Sequence, residues 1–142
     1  MLQPWLLYAL LSALFAAATS ILAKIGISGV NSNLATAIRT VVILVFAWGI
    51  VLAQGHLKDL TSLSRTTWIF LILSGLATGL SWLFYFRALQ LTDASRVVPI
   101  DKLSLVLAIV MAAVFLHEKL TLATILGSGL ITAGVLVIAL VK

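Results

Sequence analysis

Apolar residues run through this chain in stretches too long for a soluble helix to bury. A helix rises about 1.5 Å per residue, so a hydrocarbon core about 30 Å thick takes about 20 apolar residues to cross. Five such stretches follow one another, at about 4–24, 34–53, 67–91, 97–116 and 121–141, with short polar breaks between them. The chain is 142 residues long, 63% hydrophobic and only 9% charged, with a mean hydropathy of +1.25. A soluble domain carries about 25% charged residues. The expected fold class is therefore an all-α membrane protein, a single domain of five transmembrane helices over residues 1–142.

This pattern excludes several function classes. The chain has no cysteine, which removes disulfides and thiolate metal sites. Its two histidines, His56 and His117, are too far apart in sequence to suggest a zinc site. No nucleophile–base or metal constellation is visible, so neither an enzyme nor a cofactor is expected. The net charge of +5 is spread singly between apolar runs, whereas a nucleic-acid partner calls for a basic stripe on a soluble face. The lipid bilayer is the first partner.

The run ends carry recognisable signals. Pro4 and Trp5 suit a helix start at headgroup level. FAAATS offers small residues for signal cleavage, but no basic segment precedes the run and it is too long, so the first span is expected to be retained. Asn31-Ser32-Asn33 is placed to cap the second run and Thr121 the fifth. Trp68 opens the third at the interface, and Lys142 closes the chain at another. The longest polar connection, QGHLKDLTSLSRT, suits a short interfacial turn. Lys58, Arg65 and Lys119 face one side, and Lys24, Arg87, Arg96 and Lys142 the other. That bias leans to an N-terminus outside, but it is weak enough to allow insertion both ways.

The depth of the intramembrane charges says more. Arg39 lies six residues past Asn33 and Asp101 six past Ser95, so each sits roughly 9 Å along its helix. Both helices enter from the same side, with Lys24, Arg87 and Lys102 in the same half. This distribution reads as a wetted, cation-rich vestibule. Asp101 is either a substrate or coupling carboxylate or a structural partner of Arg39 or Lys102. Arg39 either grips an anionic group bidentately or pairs with span four. Lys102 lies about 100° around the helix from Asp101, so the two are not expected to face one point, and Lys102 is expected to snorkel. Pro99 reads as a helix-start residue that could also leave carbonyls unpaired beside the pathway. Trp82 and Tyr85, three residues apart on one face, are an aromatic wall or ordinary packing. Gly75 with Gly79, and Gly127, Gly129 and Gly134, would allow close approach of helices or of a second copy. Glu118 suits the positive N-terminus of span five.

In order along the chain these residues form a familiar pattern. Tyr85, Arg87, Ala88 and Leu89 end span three; Pro99 opens span four; EKLT at 118–121 joins spans four and five; LGSGLITAGV at 126–135 makes a glycine-rich span five. With Arg39 early in span two, the chain resembles the EamA-type domain of the drug/metabolite transporter superfamily. The resemblance implies a transporter or exporter of small organic metabolites working by alternating access in a bacterial-type inner membrane. Full-length relatives carry two five-span repeats of inverted topology around a central cavity. A single-repeat chain is thus expected to act as a homodimer, antiparallel because its span number is odd. Asp101-Lys102 falls outside the family pattern and rests on its position alone. Span one lacks the carboxylate that related small multidrug transporters use. The cationic half favours a substrate with an anionic group. Rival readings are a non-transporting membrane subunit or scaffold and a flippase for lipids or lipid-linked sugars.

Overall fold

The computed structural model describes residues 3–140, so Lys142 and the end of the fifth expected span lie outside the described residues. Six α-helices follow in order: α1 (Pro4–Gly26), α2 (Ser32–Gln54), α3 (Arg65–Leu91), α4 (Ala94–Asp101), α5 (Leu103–Phe115) and α6 (Leu122–Leu140), with a 3-10 helix at His56–Ser62. Five helical segments are long and apolar enough to cross a membrane, with α4 and α5 making up one of them over Ala94–Phe115. This is an all-α, multi-pass membrane protein. Its large side chains bear this out: Leu22, Val45, Phe46 and Leu130 are each at least two-thirds exposed, and lipid is the solvent that suits such a face. The chain divides into two compact units, one ending at Gln90 and the other beginning at Leu91.

Three of the helices, α2, α3 and α4, start earlier than the apolar runs. Their first turns take in Ser32 and Asn33 in α2, Arg65 in α3, and Ser95 and Arg96 in α4. Those turns carry the unpaired N–H groups of a helix start and belong at the headgroups, where polar residues suit them. The caps follow the expected chemistry. Asn31 accepts from the amides of Asn33 and Leu34 at 2.9 and 3.3 Å, and Thr121 Oγ1 accepts from the Thr124 amide at 3.1 Å. Ser64 caps α3 in the same way through the Thr67 amide, also at 3.1 Å. Gly55 stops α2 in the left-handed region at φ 74°, where a side chain would be strained. The expected interfacial turn is the 3-10 helix, fastened by His56 Nδ1 to Asp59 Oδ2 at 2.9 Å.

Inside the spans, hydroxyls satisfy themselves on their own helix. Ser20, Thr36, Thr40, Thr78, Ser128 and Thr132 each donate to a carbonyl one turn back. That removes the cost of carrying an unpaired hydroxyl into lipid.

Span four departs from expectation. Pro99 is not a helix-start residue: it is the sixth residue of α4, and the helix breaks at Lys102. Proline has no N–H for the carbonyl of Ser95, and its ring crowds that carbonyl. The Lys102 amide tightens onto the Pro99 carbonyl at 3.0 Å, and the Leu105 amide restarts the helix on the Lys102 carbonyl at 3.0 Å. In the second unit α6 packs against both α4 and α5, and Val97, Ser128 and Val135 are buried.

At the far end of span four His117 stands at φ 55°, and the Glu118 amide returns to the Ala112 carbonyl at 3.3 Å. The His-Glu segment is thus a helix stop. A histidine held there costs about 1 kcal/mol of backbone strain. His117→Gly is expected to stabilise the protein by about 1 kcal/mol, raising the melting temperature in detergent by about 3 °C. A lower melting temperature would show that the histidine side chain earns its place by other contacts.

Candidate functional site

In the first unit, the ends of α1 and α3 are joined by their unpaired backbone groups. The Leu89 carbonyl belongs to the last turn of α3, where helices leave acceptors without partners. Lys24 Nζ donates to it at 2.5 Å, and a cation there also suits the negative end of the helix. Gln90 Nε2 returns the favour, donating to the carbonyls of Ile27 (3.1 Å) and Val30 beyond the end of α1. One turn deeper, Tyr85 donates its phenol to Ser20 Oγ at 2.7 Å. Tyr85 therefore holds α3 to α1 through its hydroxyl, and Lys24 is a structural tie. Arg87 stays exposed and donates to Gln90 Oε1 at 3.1 Å, which orients the amide that links the two helices.

Arg39 emerges from the second turn of α2, and its guanidinium meets α3. The guanidinium carbon lies 4.2 Å from the centroid of Phe86 and 5.9 Å from that of Trp82. Trp82 and Tyr85 flank Phe86, with centroids at 6.5 and 5.4 Å and the Tyr85–Phe86 pair edge-on. Phe86 is 1% exposed and Leu89 0%, the two best-buried side chains among the described residues. The aromatic wall expected from Trp82 and Tyr85 is therefore centred on Phe86, and its face attracts the cation. Helical spacing could have found this ring, because Trp82, Phe86 and Leu89 fall on one stripe of α3. Gln90 could also have been noticed, as a polar residue in the last turn of an apolar span.

Arg39 makes no ion pair among the described residues, and its Nη1 is buried with no hydrogen-bond partner. Rings hold the cation, and no carboxylate neutralises it. Arg39 is also one wall of a groove of about 400 Å³ between α1 and α2. Buried Ala23, Ile27 and Ala35 lie along this groove, and the more exposed Leu22 and Ile38 edge it.

In the second unit, Asp101 and Lys102 form an ion pair at 3.6 Å, with 36% and 53% of their side chains exposed. This corrects the expectation that they could not face one point. The 100° rule assumes an unbroken helix, and the helix breaks at Lys102. Pro99 lies just before this pair and is partly buried. The glycines are open: no atom lies within 4 Å of where a Cβ would stand on Gly75, Gly79, Gly127, Gly129 or Gly134. None of them is a point of close approach between helices of its own unit.

Comparison with known proteins agrees with this architecture. Residues 3–140 match the EamA-like transporter family. The chain is 52% identical over 139 residues to a Sinorhizobium sp protein described as an uncharacterized transporter in the cobO 3' region. The match covers 98% of this chain and 99% of that protein, which is therefore of the same single-repeat length. No solved structure matches the chain.

Proposed function

The chain belongs to the EamA-like transporter family, and from that premise we propose that it moves small organic metabolites across a bacterial-type inner membrane by alternating access as a homodimer. The observation that carries the reading is Arg39: a guanidinium held on aromatic faces, without an ion pair, on the wall of a groove. A scaffold subunit has little use for a charge carried into a span without an ionic partner, where an ionisable group is costly. A transporter needs it as the point at which an anionic group exchanges water for protein. Asp101 and Lys102, exposed at the break between α4 and α5, are the second polar station. Asp101 is the one carboxylate placed well inside a described span and hence the candidate for coupling.

A homodimer supplies the second five-span repeat that a transport cavity between two repeats requires. Open glycine faces on α3 and α6 suit contact with a second copy. An odd number of spans makes the two copies antiparallel if they mimic an inverted pair. The nearly balanced loop charges permit it, with Lys58, Arg65 and Lys119 on one side and Lys24, Arg87, Arg96 and Lys142 on the other.

Transport is tested by loading proteoliposomes with a mixture of small organic acids and neutral metabolites and following release by mass spectrometry. The wild type is expected to release at least one anionic solute about ten-fold faster than empty liposomes. Asp101→Asn is expected to keep binding and lose the dependence of release on a pH gradient. Release no faster than from empty liposomes for every solute would contradict transport, and an unchanged pH response would remove Asp101 from coupling. The antiparallel dimer is tested with C-terminal reporters active on only one side of the membrane. Strong signal from both a cytoplasmic and an external reporter is expected, and signal from one alone overturns the antiparallel arrangement.

A further inference from the structure

The groove beside Arg39 has a definite chemical character. Among the described residues lining it, Arg39 is the sole charged group and Thr19 the sole hydroxyl; the rest are apolar or glycine. Ala23, Gly26 and Ala35 leave room because they are small. At about 400 Å³ the groove lies near the lower end of ordinary ligand pockets, about 300–1,000 Å³. It therefore suits one ring or one branched chain and is short for a full acyl tail.

We propose that this groove binds an amphipathic organic monocarboxylate, with the carboxylate on the Arg39 guanidinium and a compact apolar body along Ala23, Gly26 and Ala35. Two observations, the lack of an acidic partner for Arg39 and its seat on aromatic faces, carry the assignment together with the chemistry of the guanidinium. Arg39 has no acidic partner among the described residues and lines the groove, so a ligand carboxylate supplies the charge partner that the chain does not. A planar guanidinium matches a planar carboxylate with two parallel hydrogen bonds. A single cation in an apolar setting selects a single negative charge, because a phosphate dianion would leave one charge unneutralised where that is most costly. The aromatic faces of Phe86 and Trp82 fix the guanidinium position, so less of its freedom is lost on binding. The assignment names the substrate class of the transport reading above and rests on that reading for its physiological meaning; the binding itself does not.

The test uses 3-phenylpropionate as probe, titrated calorimetrically into the purified full chain in detergent, beside 3-phenylpropan-1-ol (same body, no charge) and propionate (same head, no body). The acid is expected to bind about ten-fold or more tighter than either. Gly26→Leu puts a side chain into the groove where a Cβ meets no atom within 4 Å, so the fold should accept it while the acid loses its advantage over propionate. Arg39→Gln should erase the advantage of the acid over the alcohol. Arg39→Lys, which keeps the charge but not the fork, should fall between. Equal binding of the acid and the alcohol to the wild type overturns the proposal, as does unchanged affinity in Gly26→Leu. Oleate displacing the probe at about ten-fold lower concentration also overturns it, in favour of a bilayer fatty acid. The two readings fail separately. Proteoliposomes that release other solutes from a protein that does not bind the probe retain transport and lose this site. Probe binding with no release of any solute retains the site and loses transport.

Discussion

A guanidinium carried seven residues into a helix that faces lipid must find compensation, and much of the first unit follows from how Arg39 finds it. The chain offers it the faces of Phe86 and Trp82. A ring quadrupole attracts a cation but accepts no conventional hydrogen bond, so the charge is fixed in place while donor capacity remains. An aspartate at that position would have given a neutral, closed strut. Phe86 must then be held still, and the surrounding residues do this: Tyr85 meets it edge-on and is itself anchored to Ser20, while Lys24 and Gln90 join the ends of α1 and α3. The polar contacts of α1 with α3 thus serve two purposes. They satisfy carbonyls that would otherwise be unpaired, and they brace the wall behind the cation.

The second unit solves a different problem with different means. Pro99 interrupts the backbone ladder inside span four, and Lys102 sits at the resulting break beside Asp101. Irregular backbone at such a place is tolerated where water or protein can meet the freed groups. An opposite-charge pair with both members accessible is consistent with water reaching them. A pair that exposed contributes little to stability.

The five spans were legible because lipid imposes one requirement on every helix, a run of about 20 apolar residues. Asn31 and Thr121 were legible as caps because an N-cap is a local event between a side chain and the next two or three amides. What escaped was set by backbone accounting and by side chains that meet across helices. Hydropathy cannot show that Pro99 breaks a helix, since the run stays apolar through it; counting lost hydrogen bonds can. Lys24 read as a vestibule cation, but the Leu89 carbonyl that takes it lies 65 residues away. Phe86 looked like one more apolar residue between Tyr85 and Arg87; its stripe with Trp82 and Leu89 marks it as packed, but that it meets a cation appears only when α2 brings Arg39 to it. The glycines showed the converse: a spacing associated with close helix approach, with open space around each residue.

On the transport reading, Arg39 stands on a path reached by water and solute, with the rings of α3 behind it. Because the chain contains no cysteine, a single Arg39→Cys substitution gives one unambiguous thiol. A charged, membrane-impermeant methanethiosulfonate is expected to modify this thiol at a rate comparable to that of Ser62→Cys in the connection after α2. Reaction only with a lipid-permeant maleimide, and none with the impermeant reagent from either side of the membrane, would contradict that reading and place Arg39 in a sealed or lipid-facing position.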